Sequence, residues 1–302
     1  MSKKVTRERN VECLPRQGGF TLSFFSMAST CEILIDTDNQ ALANELGLLA
    51  AKETWRIEDK YSRYDKQSFC YKMNSSSGET VEIDDETFKL FEFANQCFEM
   101  SDGKFDITSG ILRKAWRFDG SANIPDKADV DNLLQFVGWE KVNYSSKSFS
   151  MKKGMEIDFG GLGKEYAVDR TVLLISQKSN VPFLVNYGGD LAVHGARENG
   201  EPWQVGIEHS SFNANKAPTV TLKSGAIATS GDANRFLLKD NHRYSHILNV
   251  KTGWPVEQPP NSITVAAPLC LKAGFLATLS LLQGVNAEHF LKEQNILYWS
   301  IR

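Results

Sequence analysis

Strand-like and helical segments follow one another along this chain without a regular strand–helix–strand alternation, and this order limits the folds that it can adopt. Apolar, strand-like segments are predicted at Phe20–Asp36, Phe183–Ala196, Trp203–Glu208, Pro218–Thr229 and Ser262–Ala267. Helices are predicted from caps at Asp36–Asp38 toward Tyr61, from Asp84 to Ser101, and over Asp126–Val137, Lys164–Gln177, Leu271–Gln283 and Ala287–Gln294. A doubly wound parallel sheet requires repeated βαβ units. The order therefore predicts an α+β fold with a mainly antiparallel sheet and flanking helices.

Composition excludes several classes of protein. The 302 residues include 34 Lys and Arg against 37 Asp and Glu, a net charge of −3, so the chain lacks the basic excess that a nucleic-acid-binding protein needs. Since no apolar run approaches the roughly 20 residues that cross a bilayer, we expect neither membrane insertion nor a signal peptide. Five cysteines without a CxxC pair favour a reducing compartment, and hence a cytoplasmic protein. We expect a polar segment over 1–18 and one domain of two closely packed lobes over 19–302.

The segment Asp158–Asp169, which reads DFGGLGKEYAVD, joins an apolar strand to a helix. Its glycines allow the backbone to approach a diphosphate, the free amides of the helix start attract anions, and Lys164 adds a positive charge. This layout is typical of an anion site. A tight strand-to-helix turn explains it equally well, since the segment has neither the P-loop sequence nor the GxGxxG spacing.

Glycine and aspartate recur together in NYGGD (Asn186–Asp190) and ATSGD (Ala228–Asp232), where Asp190 and Asp232 could also simply cap turns. In the segment YSHILNVKTGWPV (Tyr244–Val256), Lys251–Gly253 is predicted to be a turn, with His246 on the preceding strand. This histidine fits a structural residue or a base that works near neutral pH.

Eight segments in order resemble the ApbE family of flavin transferases. They are SMAST (26–30), SRYDKQS (62–68), DGKFD (102–106), the DFGGLGKEYAVD run, NYGGD, ATSGD, SHILNVKTGWPV (245–256) and AGFLATLSLLQG (273–284). The resemblance implies an ApbE-like fold and an enzyme that moves FMN from FAD onto a threonine or serine hydroxyl of an acceptor flavoprotein, releasing AMP.

The resemblance also implies roles for individual residues. His246 would deprotonate the acceptor hydroxyl or steady the leaving AMP. The FAD site would be lined by Met27, Tyr64, Lys104, Phe105, Asp106, Asp158, Lys164, Ile247 and Leu248. Packing explains Met27, Tyr64 and Phe105 as an alternative.

The metal ligands are the main departure from the family pattern. The resemblance implies Mg²⁺, but Gly274 stands where the family has its ligand aspartate, and Ala277 stands where some members have a second acid. Thr278 and the backbone carbonyl of Gly161 are then left as ligands, with Glu165 or Asp232 as conceivable substitutes. Further departures are Ala28 and Glu165, where glycine is usual. An FAD-binding protein with weakened or lost transferase activity, an FAD hydrolase and a purely structural protein are the alternatives.

Overall fold

The structure, a computed structural model, describes residues 9–119, 123–207, 218–231, 236–239 and 242–302. The helices are α1 (Gln40–Tyr61), α2 (Phe69–Asn74), α3 (Asp85–Met100), α4 (Lys127–Leu134), α5 (Gly163–Lys178), α6 (Cys270–Leu281) and α7 (Ala287–Glu293), with short 3₁₀ helices at Ile107–Lys114, Trp139–Lys141 and Gly284–Asn286. Asp232 lies outside the described residues.

The strands are β1 (Glu12–Arg16), β2 (Gly19–Ser26), β3 (Ser29–Ile35), β4 (Val81–Glu82), β5 (Asn143–Tyr144), β6 (Ser148–Ser150), β7 (Phe183–Tyr187), β8 (Asp190–His194), β9 (Trp203–Gly206), β10 (Thr219–Leu222), β11 (Gly225–Gly231), β12 (Phe236–Lys239), β13 (His242–Ser245), β14 (Ser262–Ala267) and β15 (Tyr298–Ile301). Helices and antiparallel strands are mixed along the chain, so the predicted α+β class is confirmed.

The chain forms two compact units. Unit 1 contains residues 1–58, 164–228 and 267–271, and unit 2 contains residues 59–163, 229–266 and 272–302. No helix among the described residues is both long and apolar enough to cross a membrane.

Unit 1 is built on an antiparallel sheet in which the strand order is β1-β2-β3-β7-β8-β11. Its buried face includes Leu22, Ile33 and Val185, none of which is exposed. A side chain at Gly47 of α1 would come within 2.5 Å of Leu22 Cγ, so the helix backbone lies directly on β2. The buried Tyr187 hydroxyl bonds to Thr54 of α1 (3.0 Å) and Thr171 of α5 (2.8 Å), which fixes both helices to β7.

Unit 2 has an aromatic core. The Phe91 ring of α3 lies 5.3 Å from the Phe149 ring and 5.9 Å from the Phe159 ring. Phe91 is fully buried, so this face of α3 lies in the core, and Asp84 caps the helix by accepting a bond from Thr87 N. A second cluster surrounds Trp116, whose indole nitrogen donates to the carbonyl of Gly253 at 2.7 Å.

Several predicted elements differ from those observed. Phe20–Asp36 is a hairpin of β2 and β3, and Phe183–Ala196 is a hairpin of β7 and β8, because each tight turn uses only two residues and barely interrupts the apolar pattern. Structure also begins earlier than predicted, with β1 inside the polar segment. Helix α1 is capped by Asn39, which accepts a bond from Leu42 N, so the prediction of a cap at Asp36–Asp38 was wrong.

The β2–β3 turn is conformationally strained. Met27 (φ +49°) and Ala28 (φ +60°) both adopt left-handed backbone conformations, which glycine and asparagine tolerate better than other residues. Glu58 of α1 holds the turn, because its carboxylate accepts bonds from Ser26 Oγ (2.9 Å) and Met27 N (2.8 Å).

We predict that Ala28→Gly stabilises unit 1 by about 1 kcal/mol, since glycine removes the cost of the left-handed conformation. Ala41→Gly is the matched control. This alanine lies exposed in the first turn of α1, where the same substitution should destabilise by up to about 1 kcal/mol. Urea unfolding of the two variants should therefore shift in opposite directions, and a destabilised Ala28→Gly would contradict the strain argument.

Candidate functional site

The segment that enters the glycine-rich run is clamped by side chains of unit 2. Asn74, the last residue of α2, accepts a bond from Ile157 N (2.7 Å) and donates to Ile157 O (2.9 Å), as a neighbouring strand would. The carbonyl of Ile107 accepts a bond from Asp158 N at 2.8 Å. The backbone position of Asp158 is therefore fixed from two sides.

The Asp158 carboxylate is held as firmly as its backbone. Arg63 forms an ion pair with Oδ2, and Gly160 N donates to Oδ1 at 2.9 Å. A Cβ atom at Gly110 would lie 2.5 Å from Asp158 Cβ, so this glycine is required for close packing. Sequence reasoning identified Asp158 but missed Arg63, Asn74 and Gly110. The signal that could have revealed Arg63 is its position beside Tyr64.

Gly110→Ala should displace Asp158 and destabilise unit 2 by roughly 1–3 kcal/mol, because the added methyl group has no space. Gly163→Ala is the control, since a Cβ there would have no neighbour within 4 Å. Thermal unfolding should show a lower melting temperature for Gly110→Ala and little change for Gly163→Ala. Equal melting temperatures for the two variants would contradict this account.

Tyr64 presents an exposed ring beside Arg63. The residue is 77% exposed, and Arg63 donates to its hydroxyl at 2.7 Å. The guanidinium carbon of Arg63 also lies 4.8 Å from the ring centre. Arg63 therefore brings together two of the predicted FAD-site residues, Tyr64 and Asp158.

The carboxylate of Asp106 caps the 3₁₀ helix at Ile107–Lys114 and also binds a second backbone amide. It accepts bonds from the amide and hydroxyl of Thr108, both at 2.7 Å, and from Trp139 N at 2.9 Å. Burial raises the pKa of Asp106 while these bonds lower it, and the net direction is upward. Asp106 also borders a cavity of about 390 Å³ in unit 2, together with Asp102, Gly103 and Lys251. A role in FAD binding stays a prediction.

Three more of the predicted site residues in unit 2 contact other side chains of that unit: Phe105, Lys104 and Thr278. Phe105 is buried against Phe275 (ring centres 5.5 Å apart), and a Cβ at Gly161 would lie 3.6 Å from its ring, so Phe105 packs beside Gly161. Lys104 Nζ donates to Gln283 Oε1 at 2.5 Å. Thr278 Oγ1 donates to Ser230 Oγ at 3.2 Å.

His246 follows β13 in a bend, immediately before a hairpin that contains the predicted turn at Lys251–Gly253. Ile247 and Leu248 form the first arm of this hairpin: Ile247 O accepts a bond from Val256 N, and Leu248 bridges to Pro255. The His246 ring lies 6.2 Å from the Phe118 ring in an edge-on arrangement. The prediction that His246 lies on the preceding strand was wrong by one residue.

In unit 1, Lys164 lies at the start of α5, and its Nζ is 3.7 Å from Asp190 Oδ2, a long ion pair that leaves the ammonium partly exposed. The adjacent Glu165 has a buried Oε2 without a hydrogen-bond partner among the described residues. Burial, and then the charge of Asp190, raise the pKa of Glu165 to about 8. Met27, the other predicted residue in this unit, lies in the strained turn held by Glu58.

The profile of the ApbE family matches residues 27–298, which is nearly the whole described chain. This chain belongs to the ApbE family. Two curated relatives, each named FAD:protein FMN transferase, come from Vibrio cholerae (27% identical, covering 85% of this chain and 78% of the relative) and Haemophilus influenzae (25% identical, 80% and 73%).

Solved ApbE structures show the same fold. The ApbE protein of Thermotoga maritima superposes with a TM-score of 0.82 at 27% identity, covering 96% of this chain and 94% of that one. The apo flavinyl transferase ApbE of Pseudomonas stutzeri has a TM-score of 0.83 at 22% identity, covering 98% and 93%. The predicted ApbE-like fold is therefore confirmed.

Proposed function

We propose that this ApbE chain transfers FMN from FAD to a threonine or serine hydroxyl of an acceptor flavoprotein. The family match over residues 27–298 carries this proposal, and the names of the curated relatives support the reaction class. In the reaction, the acceptor oxygen forms a bond to the phosphorus of the FMN half, the bond from that phosphorus to the bridging oxygen breaks, and AMP leaves with the bridging oxygen.

The chain's own residues supply three functions in this proposal. Asp158, fixed by Arg63 and Gly160, presents carboxylate lone pairs to donors of the flavin or the ribose. Lys164 offers a positive charge to the diphosphate, since its side chain is 30% exposed despite the long ion pair with Asp190. His246 accepts the proton of the attacking hydroxyl and later donates one to AMP.

The described residues do not fit a Mg²⁺ site of the kind that the family implies. Mg²⁺ prefers carboxylate oxygens in octahedral geometry, but position 274 is glycine and the Thr278 hydroxyl is bonded to Ser230. No group of three or more His, Cys, Asp or Glu residues that could hold a metal occurs in the part of the chain that the structure describes. We therefore derive no step through a metal.

The reaction is tested by mixing the purified chain with FAD and a flavoprotein domain that carries an acceptor threonine, with and without Mg²⁺. We expect AMP release and an acceptor that stays fluorescent after denaturation, and neither with a Thr→Ala acceptor. AMP release without any acceptor would instead show an FAD hydrolase. FAD binding with no AMP under any divalent metal would show a binding protein.

The cellular compartment is part of the same proposal. All five cysteines are free, and four of them are buried, an arrangement compatible with the reducing cytoplasm.

A further inference from the structure

We propose that Arg63 is a positioning residue that holds Tyr64 and Asp158 together as one preorganised contact for the flavin dinucleotide. This inference rests on the proposed function, because it names the residue that gives the FAD site its shape. The three side chains all belong to unit 2.

Arg63 lies in a loop directly after α1 that is closed by internal hydrogen bonds. Ser62 Oγ accepts bonds from the amides of Tyr64 and Asp65, both at 3.3 Å, and Ser68 N donates to Asp65 O at 3.0 Å. Ser68 Oγ donates in turn to Ser62 O. These bonds close the loop on itself, so the backbone of Arg63 has a defined position before any ligand arrives.

The guanidinium uses its two ends for two different partners. Nη1 pairs with the Asp158 carboxylate, and Nη2 donates to the Tyr64 hydroxyl at 2.7 Å. A planar guanidinium can join two such groups at a fixed separation, whereas the ammonium of lysine is a single point charge. Arg63 therefore sets the distance between the carboxylate and the ring.

Partial burial makes this pairing necessary. The side chains of Arg63 and Asp158 are each only 20% exposed, and a charge at that depth requires a partner. Without Arg63, only the Gly160 amide, among the described residues, would remain to satisfy the Asp158 carboxylate. The carboxylate would then turn toward solvent and lose its orientation.

Tyr64 depends on Arg63 for a different reason. A tyrosine residue that is 77% exposed has little packing to select one rotamer of its ring. The bond from Arg63 and the contact of the guanidinium with the ring select one orientation. A ring fixed in advance avoids the entropy cost of ordering when a planar ligand stacks on it, and this raises affinity without adding a contact.

The proposal is tested by titrating the full chain with FAD. Binding is monitored through flavin fluorescence and through the visible absorption band of the bound flavin. Arg63→Gln should weaken FAD binding by about tenfold or more, and Arg63→Lys should fall between Arg63→Gln and the wild type, since lysine keeps the pairing with Asp158 but not the second bond. The absorption change on binding should be smaller in both variants. Arg56→Gln is the matched control, because Arg56 also pairs with a carboxylate, that of Glu53, and should bind FAD as the wild type does.

A double-mutant comparison separates positioning from direct contact. In the Tyr64→Phe/Asp158→Asn background, Arg63→Gln should cost less than about twofold, because the groups that it positions are already altered. A cost as large as in the wild type would overturn the proposal in favour of a direct contact with FAD. An affinity unchanged by Arg63→Gln would overturn it outright.

The outcome also distinguishes this inference from the proposed function. If the wild type binds FAD and the Arg63 variants bind equally well, only the role of Arg63 fails. If the wild type does not bind FAD, the proposed function fails and this inference falls with it. If Arg63→Gln melts at a lower temperature than the wild type, FAD binding by Arg63→Lys is the test instead. Weaker binding than the wild type then supports the role of Arg63, and equal binding overturns it.

Discussion

Glu165→Gln should stabilise the chain at neutral and alkaline pH and have little effect near pH 4. The folded-state pKa of Glu165 is raised from 4.5 to about 8, first by burial and then by the charge of Asp190. A carboxyl group whose pKa is raised by folding contributes its full stability below the pKa that it has in the unfolded chain. That contribution is lost as the pH rises through its pKa in the folded protein. Wild-type stability should therefore fall between about pH 4.5 and about pH 8, whereas glutamine stays neutral throughout.

The expected gain is a few kcal/mol at about pH 9, since each unit of pKa shift corresponds to about 1.4 kcal/mol. Urea unfolding of both proteins at several pH values measures it. Glu288→Gln is a control for which the expected change in stability has the opposite sign, because the bond from Arg302 lowers the pKa of Glu288 to about 2. That variant should lose stability at neutral pH, and the loss should vanish as the pH falls through about 2. A gain for Glu165→Gln that does not change with pH would contradict the assignment of a buried, protonated Glu165.

His246→Ala should lower the rate of AMP release in the presence of acceptor by roughly 10²–10⁴-fold, the range for loss of a general base. FAD affinity should change little, because the base acts on the acceptor hydroxyl. Single-turnover measurement of AMP release, together with FAD titration, separates the two effects. The prediction rests on the proposed reaction and on the position of His246 directly before the hairpin that contains Ile247 and Leu248.

His194→Ala provides the matched control. The His194 ring stacks on Phe183 with ring centres 5.0 Å apart, within the sheet of unit 1. Its loss should affect stability while the rate of AMP release stays near the wild-type value. An unchanged rate in His246→Ala, or an equal loss of rate in both variants, would show that His246 is not the base.

Much of the fold could be predicted from local sequence because its signals are local. Helix α3 is specified by its Asp84 cap and by apolar residues at helical spacing, and α5 follows directly from the glycine-rich run. The two hairpins were missed because a two-residue turn leaves the apolar pattern of the flanking strands nearly continuous. Membership of the ApbE family could also be inferred, because eight short segments keep their order along the chain.

Candidate residues were likewise predictable by type, but their partners were not. Asp158 and Tyr64 were named from their motifs, yet Arg63 joins them across 95 positions of sequence, and Asn74 clamps Ile157 across 83. Asp106 was expected to bind FAD. In the structure, its Oδ1 accepts bonds from Thr108 and its Oδ2 accepts a bond from Trp139 N. A side-chain bond of this kind depends on where two distant segments come together.

The sequence by itself therefore determined the fold class, the family and the residue types available for chemistry, since all three are encoded in short-range patterns. Only the tertiary structure decided which charges are paired and which are buried. Lys164 lies beside Asp190, and Glu165 has an oxygen enclosed by protein. The physical reason is that the energy of a charge is set by the solvent and the partners around it. Those surroundings exist only once distant parts of the chain have packed together.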